Sequence, residues 1–214
     1  SRENAEEMGE FINAITTNLT SFFRENHHFE YLKDTVLPYL IRKKMHEKRI
    51  RIWSAGCSTG EEPYSIAMAL SSFPGVRNWD VKVLATDLDS NVVAKAKAGI
   101  YPVEKVEHIP DGYSRFFKVD KSKQFVSPKD SVKNLITFKQ LNLLNDWPMK
   151  GRFDVIFCRN VVIYFDVDTQ RRLFSRYANI IQPEGHLFIG HSESLHNVSN
   201  EFSSLGRTIY KRDK

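Results

Sequence analysis

The sequence has few of the features that mark secreted or membrane proteins. Its 214 residues include only two cysteines, Cys57 and Cys158, which are too few for a disulfide framework and favour a reducing compartment. No run approaches the roughly 18 consecutive apolar residues of a membrane-spanning helix. The acidic N-terminal stretch also lacks the apolar core of a secretory signal. We therefore expect a globular, cytoplasmic protein that does not insert into membranes.

Several chemical motifs are missing as well. The histidines show no HExxH or Cys/His spacing, so we predict no metal. No GxSxG nucleophile elbow is present. The glycine-containing loop at residues 55–63 (AGCSTGEEP) matches neither GxGxxG nor GxxxxGK[ST]. These absences disfavour metal-dependent hydrolysis, serine hydrolase chemistry and the usual phosphate-binding loops.

Positive charge is in excess and unevenly placed. The net charge is +5, and basic residues concentrate in residues 42–51 and 115–139. Such stretches are typical of solvated surfaces, but they also attract nucleic acid, anionic membranes or acidic proteins. No interleaved aromatic and basic pattern of RNA recognition accompanies them, so we expect no nucleic-acid partner.

Strands and helices alternate from residue 50 onward. Apolar runs predict strands at 50–54, 81–86, 134–141, 154–158 and 185–190, with helices at 61–72, 92–98 and 168–180. This alternation predicts an α/β fold with a mostly parallel, doubly wound sheet. A hairpin through residues 202–211 would add an antiparallel edge. Residues 29–46 are predicted to be helical around Pro38.

The remaining segments predict the domain organisation. Residues 5–19 have the apolar spacing of an amphipathic helix, and we assign 1–17 to an N-terminal helix. Thr20 or Ser21 is expected to cap a helical turn containing Phe22 to Arg24. Residues 101–133 are too long for a plain connection, so we predict a small β-subdomain inserted at about 105–138. The main domain then spans 18–214.

The candidate site residues follow the predicted strands, because ligands of open α/β sheets bind outside the carboxyl ends of the strands. Glu61 and Glu62 would repel a pyrophosphate but accept an ammonium or sulfonium, although both also suit a helix start. Asp87 can accept the hydroxyls of a ribose. The neighbouring Asp89 is an alternative that would only cap the next helix.

Two further strand ends carry polar residues. Asn142 and Leu143 suit the edge and face of an adenine, while Arg159 and Asn160 follow the strand at 154–158. The alternative for the latter pair is a simple strand exit. We interpret both cysteines as packing residues. The histidines at 27, 28, 186 and 191 are interpreted as structural.

Taken together, these motifs resemble the chemotaxis receptor methyltransferases, the CheR-type enzymes that use S-adenosylmethionine. The resemblance is carried by six segments, which are residues 16–29 (TTNLTSFFRENHHF), 51–70, 85–101, 142–144, 153–166 (FDVIFCRNVVIYFD) and 185–195 (GHLFIGHSESL). It implies a Rossmann-like methyltransferase fold. It also implies methyl transfer to glutamate side chains on the cytoplasmic domain of methyl-accepting chemotaxis receptors, with S-adenosylhomocysteine as the second product.

The resemblance also implies residue roles. Arg24 and Tyr164 would be catalytic. The cofactor would be bound by Asn18, Thr20, Arg24, Glu62, Asp87, Asn142, Leu143, Arg159 and Asn160. Alternatives are a methyltransferase acting on RNA or a small amine, and a non-catalytic cofactor-binding regulatory module or scaffold.

Two departures from the family pattern shape our expectations about partners. Only the last helix of the usual N-terminal helical domain is recognisable. Members that dock on a pentapeptide at the receptor tail carry a glycine-rich loop in the inserted subdomain, whereas residues 118–133 contain no glycine. We therefore expect no tethering to that pentapeptide, and we expect a monomer.

Overall fold

The computed structural model of the chain describes residues 20–213, in which a seven-stranded sheet forms the centre. Its strands are β1 (Arg49–Ala55), β2 (Asp80–Asp87), β6 (Ile136–Gln140), β7 (Phe153–Cys158), β8 (Ile181–Ile189), β9 (Phe202–Gly206) and β10 (Ile209–Arg212). The order is β6-β2-β1-β7-β8-β10-β9. The first five of these in the sheet are parallel, and β10 and β9 form an antiparallel hairpin at one edge. This confirms the predicted sheet.

The central strands are apolar because helices cover both faces of the sheet. All six residues of β7 are buried, and alternate residues of β1 serve two separate cores. Ile52 packs into the core formed with the helical segment of residues 27–43 and with α3 (Glu61–Ser72). Trp53 packs into the core formed with α6 (Val167–Ile180).

Two helices begin at a side-chain cap. In α4 (Ser90–Ala98) the Asp89 carboxylate accepts the amide hydrogen of Asn91 at 2.7 Å, and Gly99 ends the helix with φ 59°. Asp89 is therefore the helix cap that the sequence analysis offered as an alternative. Asp166 caps α6 by accepting from the amide of Thr169 at 2.8 Å.

The helical segment before β1 is continuous but not uniform. It consists of α1 (His27–Tyr31), a π-helical turn (Leu32–Val36) and α2 (Leu37–Lys43). Pro38 lies in the first turn of α2, where the missing amide hydrogen is tolerated. The change of helical geometry therefore comes just before the proline, which lies at the start of a second helical segment.

The residues just before α1 correct one prediction. Phe22 to Arg24 do not form a helical turn, because Phe23 and Glu25 adopt left-handed backbone conformations with φ 54° and 56°. The predicted helix over 5–19, the N-terminal unit 1–17 and the candidate residue Asn18 lie outside the described residues.

A separate three-stranded antiparallel sheet follows α4. It contains β3 (Tyr101–Pro102), β4 (Phe117–Val119) and β5 (Phe125–Pro128) in the order β3-β5-β4. The small sheet begins before the predicted range of 105–138, and residues 136–138 belong to β6 of the main sheet. A four-residue helix, α5 (Asp130–Lys133), leads back to β6. Edge-on ring contacts of Phe22 with Tyr101 and Phe117, at 4.9 and 5.2 Å, attach the small sheet to the core.

Candidate functional site

The candidate site lies where the strand order reverses. The chain runs outward from β1 through β2 to β6, and then returns to β7 on the other side of β1. The loops leaving β1 and β7 therefore meet at the position where open α/β sheets bind ligands. Gly56 has φ 117°, and a Cβ added to it would lie 2.4 Å from Cγ2 of Val161. Only glycine allows these two loops to approach so closely.

A buried ion pair joins the two loops. Glu62 in the first turn of α3 accepts a hydrogen bond from Oγ of Ser54 at 2.7 Å, and its other oxygen lies 3.3 Å from Nη1 of Arg159. The two side chains are 12% and 3% exposed. Burial raises the pKa of Glu62 above its ordinary value, an effect that the Arg159 guanidinium offsets only in part. The pair offers one charge of each sign to a zwitterionic ligand.

The structure separates the two adjacent glutamates, of which the resemblance assigned only Glu62 to the cofactor site. Glu61 is buried and accepts from Oγ1 of Thr59 at 2.6 Å, and its other oxygen lies 3.3 Å from Nζ of Lys105. It therefore faces the segment that carries the small sheet, while Glu62 faces Arg159. Successive helix residues point in directions about 100° apart, which accounts for the difference.

Asp87, the last residue of β2, presents a second carboxylate at the same edge. It accepts backbone hydrogen bonds from Ser58 at 2.8 Å and from Asp89 at 3.1 Å. Burial raises the pKa of Asp87, and these two hydrogen bonds partly counter the effect. A carboxylate fixed in this way beside a glycine loop fits the hydroxyl groups of a ribose.

Asn142 and Leu143 follow β6. The side-chain oxygen of Asn142 accepts from the amide of Leu144 at 2.9 Å. Leu143 is buried, and its carbonyl accepts from Nε1 of Trp147 at 3.1 Å and from Nη1 of Arg176 at 2.6 Å. The main chain of this loop is thus held from the α6 side of the sheet.

Four predicted site residues have not yet been placed relative to the Glu62–Arg159 pair: Thr20, Arg24, Asn160 and Tyr164. The carbonyl oxygen of Arg24 accepts a hydrogen bond from Nη2 of Arg159, which joins the segment before α1 to the site. Asn160 follows Arg159 directly and has φ 57°. Tyr164 lies in a short 3₁₀ turn and is 60% exposed. Thr20 is half-buried, and its carbonyl accepts from Nζ of Lys105 at 3.0 Å.

Two acidic residues of the cluster were missed by the sequence analysis, Glu25 and Glu193. Glu25 lies 3.5 Å from Nη2 of Arg159 and 3.1 Å from Nδ1 of His191. Although burial raises the pKa of Glu25, the Arg159 charge and the His191 contact hold it below its ordinary value. Both residues lie inside the segments that carried the family resemblance, but nothing in the sequence indicated their burial.

Glu25, His27 and His28 form one cluster that deserves comparison with a metal site. Within residues 20–213 their potential ligand atoms lie within 4.8 Å of one another. The Arg159 guanidinium beside Glu25 would repel a metal cation. His28 is fully buried, and its Nε2–H donates to the carbonyl of Arg207 at 3.0 Å. The sequence expectation of no metal stays a prediction.

The cysteines are free and buried at the ends of β1 and β7. Burial raises the pKa of both thiols, Cys57 and Cys158. A thiol with a raised pKa is protonated at neutral pH, so neither residue offers a nucleophile.

Comparison with known proteins gives a consistent picture. The family profile described as "CheR methyltransferase, SAM binding domain" matches residues 18–211. The chain is 46% identical over 207 residues to a probable chemotaxis protein methyltransferase of Rhizobium etli, covering 94% of this chain and 77% of that protein. It is 41% identical over 218 residues to the chemotaxis protein methyltransferase of Escherichia coli, covering 100% of this chain and 74% of that protein.

A solved structure shows the same fold. The DszA carbon methyltransferase superposes with a TM-score of 0.50 at 20% identity, over 77% of this chain and 35% of that one. None of the helices within residues 20–213 is both long enough and apolar enough to cross a membrane.

Proposed function

The chain belongs to the CheR methyltransferase family, and from that premise we propose that it methylates glutamate side chains of methyl-accepting chemotaxis receptors. The methyl donor is S-adenosylmethionine, and the products are a glutamate 5-O-methyl ester and S-adenosylhomocysteine. The cytoplasmic domain of the receptors is the proposed partner, which implies a cytoplasmic location.

The observation that carries the proposal is the chemistry of the sheet edge. At the switch point, where the strand order reverses, Glu62 lies after β1, where dinucleotide-binding sheets hold a pyrophosphate, and Asp87 ends β2, where they hold a ribose. This edge suits a nucleoside with a cationic tail rather than a phosphate chain. The residues proposed to hold the cofactor are Asn18, Thr20, Arg24, Glu62, Asp87, Asn142, Leu143, Arg159 and Asn160.

The reaction needs no general base from the protein. A glutamate side chain has a pKa near 4.3, so the substrate carboxylate is already ionised at neutral pH and is itself the nucleophile. When bound, the cofactor supplies a methyl group activated by the sulfonium. The bond from the carboxylate oxygen to the methyl carbon forms as the carbon–sulfur bond breaks, and the electron pair goes to sulfur.

The protein contributes positioning and exclusion of water. Opposite charges cancel in this transition state, so a fixed charge next to the attacking carboxylate would stabilise the ground state more than the transition state. We assign to Arg24 the orientation of a carboxylate, either that of the cofactor or that of the substrate, through a bidentate contact. Tyr164 is assigned to the reacting end of the pocket. Holding the two reactants in line can supply effective molarities up to ~10⁵–10⁸ M in ideal cases.

Methyl transfer to carboxylates is directly measurable. Receptor-containing membranes incubated with radiolabelled cofactor and this protein should acquire label that alkali releases as volatile methanol. Label that resists alkali would indicate N-methylation, as expected of an enzyme acting on an amine. Cofactor binding without any transfer would support the non-catalytic module instead.

Substituting Arg24→Lys tests the orienting role. Lysine keeps the charge but loses the planar fork, so we expect kcat/KM for receptor methylation to fall at least tenfold. Arg42→Lys is the matched control, because Arg42 is exposed on α2, outside the cluster. Wild-type turnover in Arg24→Lys would contradict the role.

We propose further that the small sheet does not capture the receptor-tail pentapeptide. The turn between β4 and β5 is closed without glycine, because the Asp120 carboxylate accepts from the amides of Ser122, Gln124 and Phe125 at 3.0–3.2 Å. Micromolar binding of the peptide in a calorimetric titration would overturn this. We also propose a monomer, which sedimentation equilibrium would test.

A further inference from the structure

We propose that Glu193 is a positioning residue for the cofactor pocket, acting through the main chain of residues 160–162. The inference rests on the proposed function, because it concerns the loop that carries Arg159 and leads to Tyr164. Glu193 lies in the turn after β8 and is 6% exposed. In this proposal Glu193 contacts no ligand. It acts by holding the backbone of residues 160–162, which forms one wall of the pocket.

The carboxylate of Glu193 accepts four backbone hydrogen bonds. One oxygen accepts from the amides of Gly190 at 2.6 Å and Asn160 at 3.0 Å. The other accepts from Val161 at 2.8 Å and Val162 at 2.9 Å. Through this single side chain, the four bonds join the residues that follow β8 to the residues that follow β7.

Hydrogen bonds from backbone amides to a carboxylate are stronger than ordinary backbone hydrogen bonds, and burial removes the water that would compete for them. Four N–H dipoles aimed at one carboxylate also offset the cost of burying its charge. The three consecutive amides of residues 160–162 would otherwise lack these acceptors in a partly buried loop. Glu193 therefore determines the local shape of this loop.

The loop is tightly enclosed. Asn160 has φ 57°, a left-handed conformation that Asn adopts more readily than most residues with a side chain. A Cβ added to Gly190 would lie 2.5 Å from Nδ2 and 2.8 Å from the main-chain nitrogen of Asn160. Gly56 closes the other side against Val161. The loop is thus held between two glycines, and one glutamate accepts its amide hydrogens.

The consequence for the site follows from the position of Arg159. Arg159 directly precedes Asn160 in the chain. Its guanidinium lies between two carboxylates, 3.3 Å from Glu62 and 3.5 Å from Glu25. A change in the backbone at residue 160 would move this guanidinium away from one or both carboxylates. Loss of the Glu193 charge should therefore impair cofactor binding at a distance from the pocket itself.

Glu193→Gln tests this with minimal change of shape. A glutamine oxygen can serve two of the amides, but its NH₂ group would face the other two N–H donors. We expect the dissociation constant for S-adenosylhomocysteine to rise at least tenfold by calorimetry, with a comparable fall in kcat/KM. Glu193→Asp keeps the charge on a shorter arm and should recover part of the affinity. Glu201→Gln is the matched control, because Glu201 is exposed.

Affinity must be separated from folding. Titrations are carried out below the unfolding transition recorded by circular dichroism, and the binding stoichiometry reports the competent fraction. If Glu193 had only a structural role, Glu193→Gln would lower the transition temperature but leave the affinity of the folded fraction unchanged. Glu193→Asp would then bind S-adenosylhomocysteine no more tightly than Glu193→Gln. That result would overturn the inference.

A second variant keeps the test decisive if Glu193→Gln does not fold. Gly190→Ala leaves the carboxylate in place but pushes on Asn160 from the β8 side, and it should also weaken S-adenosylhomocysteine binding at least tenfold. Wild-type affinity in Gly190→Ala would count against the loop as the determinant. Failure of the wild-type protein to bind S-adenosylhomocysteine would instead refute the proposed function, so the two failures are distinguishable.

Discussion

The switch point of the main sheet and the small antiparallel sheet are both rich in charged residues, but these differ in how far they are exposed to solvent. At the switch point, the side chains of Arg159 and Glu62 are 3% and 12% exposed. In the small sheet region, Lys118 and Asp130 form a pair whose side chains are 53% and 77% exposed. Buried charges must neutralise one another or be satisfied by backbone dipoles, whereas exposed charges are solvated and contribute little.

The comparison shows why substitutions should differ in cost between the two regions. The charged groups of the switch point come from five places: the segment before α1, the start of α3, and the residues at or after the ends of β2, β7 and β8. Removing one of them leaves others without partners. The contacts of the β4–β5 turn are made within a few residues of Asp120. The first region is a non-local network, and the second is a set of local bonds.

The largest expected effect comes from Arg159→Gln. It leaves Glu62 and Glu25 buried without their cation, and breaking a buried pair from one side costs about 3–5 kcal/mol. We expect that loss in urea unfolding and at least a hundredfold loss of S-adenosylhomocysteine affinity. Arg171→Gln removes an exposed pair and should cost at most about 1 kcal/mol. Equal costs for the two variants would break the comparison.

A pH dependence of stability is the next largest effect. Burial, with the nearby Arg159 charge, lowers the pKa of His28 to about 3 from its ordinary 6.5. The unfolded chain therefore binds a proton between pH 6.5 and about 3 while the folded protein does not. Stability is fully present above pH 6.5 and falls as the pH is lowered through that window, by a few kcal/mol.

Urea unfolding at a series of pH values checks this. His28→Gln should lower stability at pH 7 but flatten the slope between pH 6.5 and 4. His196→Gln, at an exposed position, should leave the slope unchanged. His186, whose pKa burial lowers to about 4, contributes to the slope that remains. An unaltered slope in His28→Gln would contradict the assignment.

Cofactor affinity should depend on pH through the carboxylates of the switch point. Burial raises the pKa of Glu62 and Asp87, so both are protonated at a higher pH than ordinary carboxyl groups. Binding that needs the ionised forms should weaken as the pH falls, by up to about tenfold per pH unit for each group once below its pKa. Calorimetry from pH 8 to 5 measures this, and Glu62→Gln should flatten the profile.

The smallest effects are expected in the small sheet. Lys118→Gln removes an exposed pair and should change the free energy of unfolding by less than about 1 kcal/mol. Replacing Lys118, Lys121 and Lys123 together should slow receptor methylation a few-fold at low salt if this face attracts acidic receptor helices. The difference should vanish at high salt. An unfolding effect as large as that of Arg159→Gln would remove the distinction between the regions.

Much of the fold could be predicted because its signals are local. The β-strand that begins at Phe153 is an apolar run between polar residues, and Asp89 precedes a helix in the way that caps do. The failure at Phe22 to Arg24 has no such local signal. A left-handed conformation at Phe23 has no sequence signature, since aromatic residues rarely adopt it. In the folded chain the ring of Phe23 packs against Phe29 and the distant Tyr113.

The site was predictable in part, because parallel strands end at one edge and Glu62, Asp87 and Arg159 each follow a strand. Which glutamate of the pair faces Arg159 was not predictable, since Glu61 and Glu62 are equivalent in any local pattern. The same applies to Glu25 and Glu193. Their roles depend on partners more than 30 residues away in the sequence.

The sequence alone was enough to determine the strand–helix alternation, the family and the kinds of side chain at the strand ends, because periodicity and motif spacing are properties of neighbouring residues. Tertiary structure decided which charges are buried, which carboxylate meets the guanidinium of Arg159, and how Glu193 holds the β7 exit. Those outcomes depend on burial and on contacts between distant segments, and neither exists until the sheet has assembled.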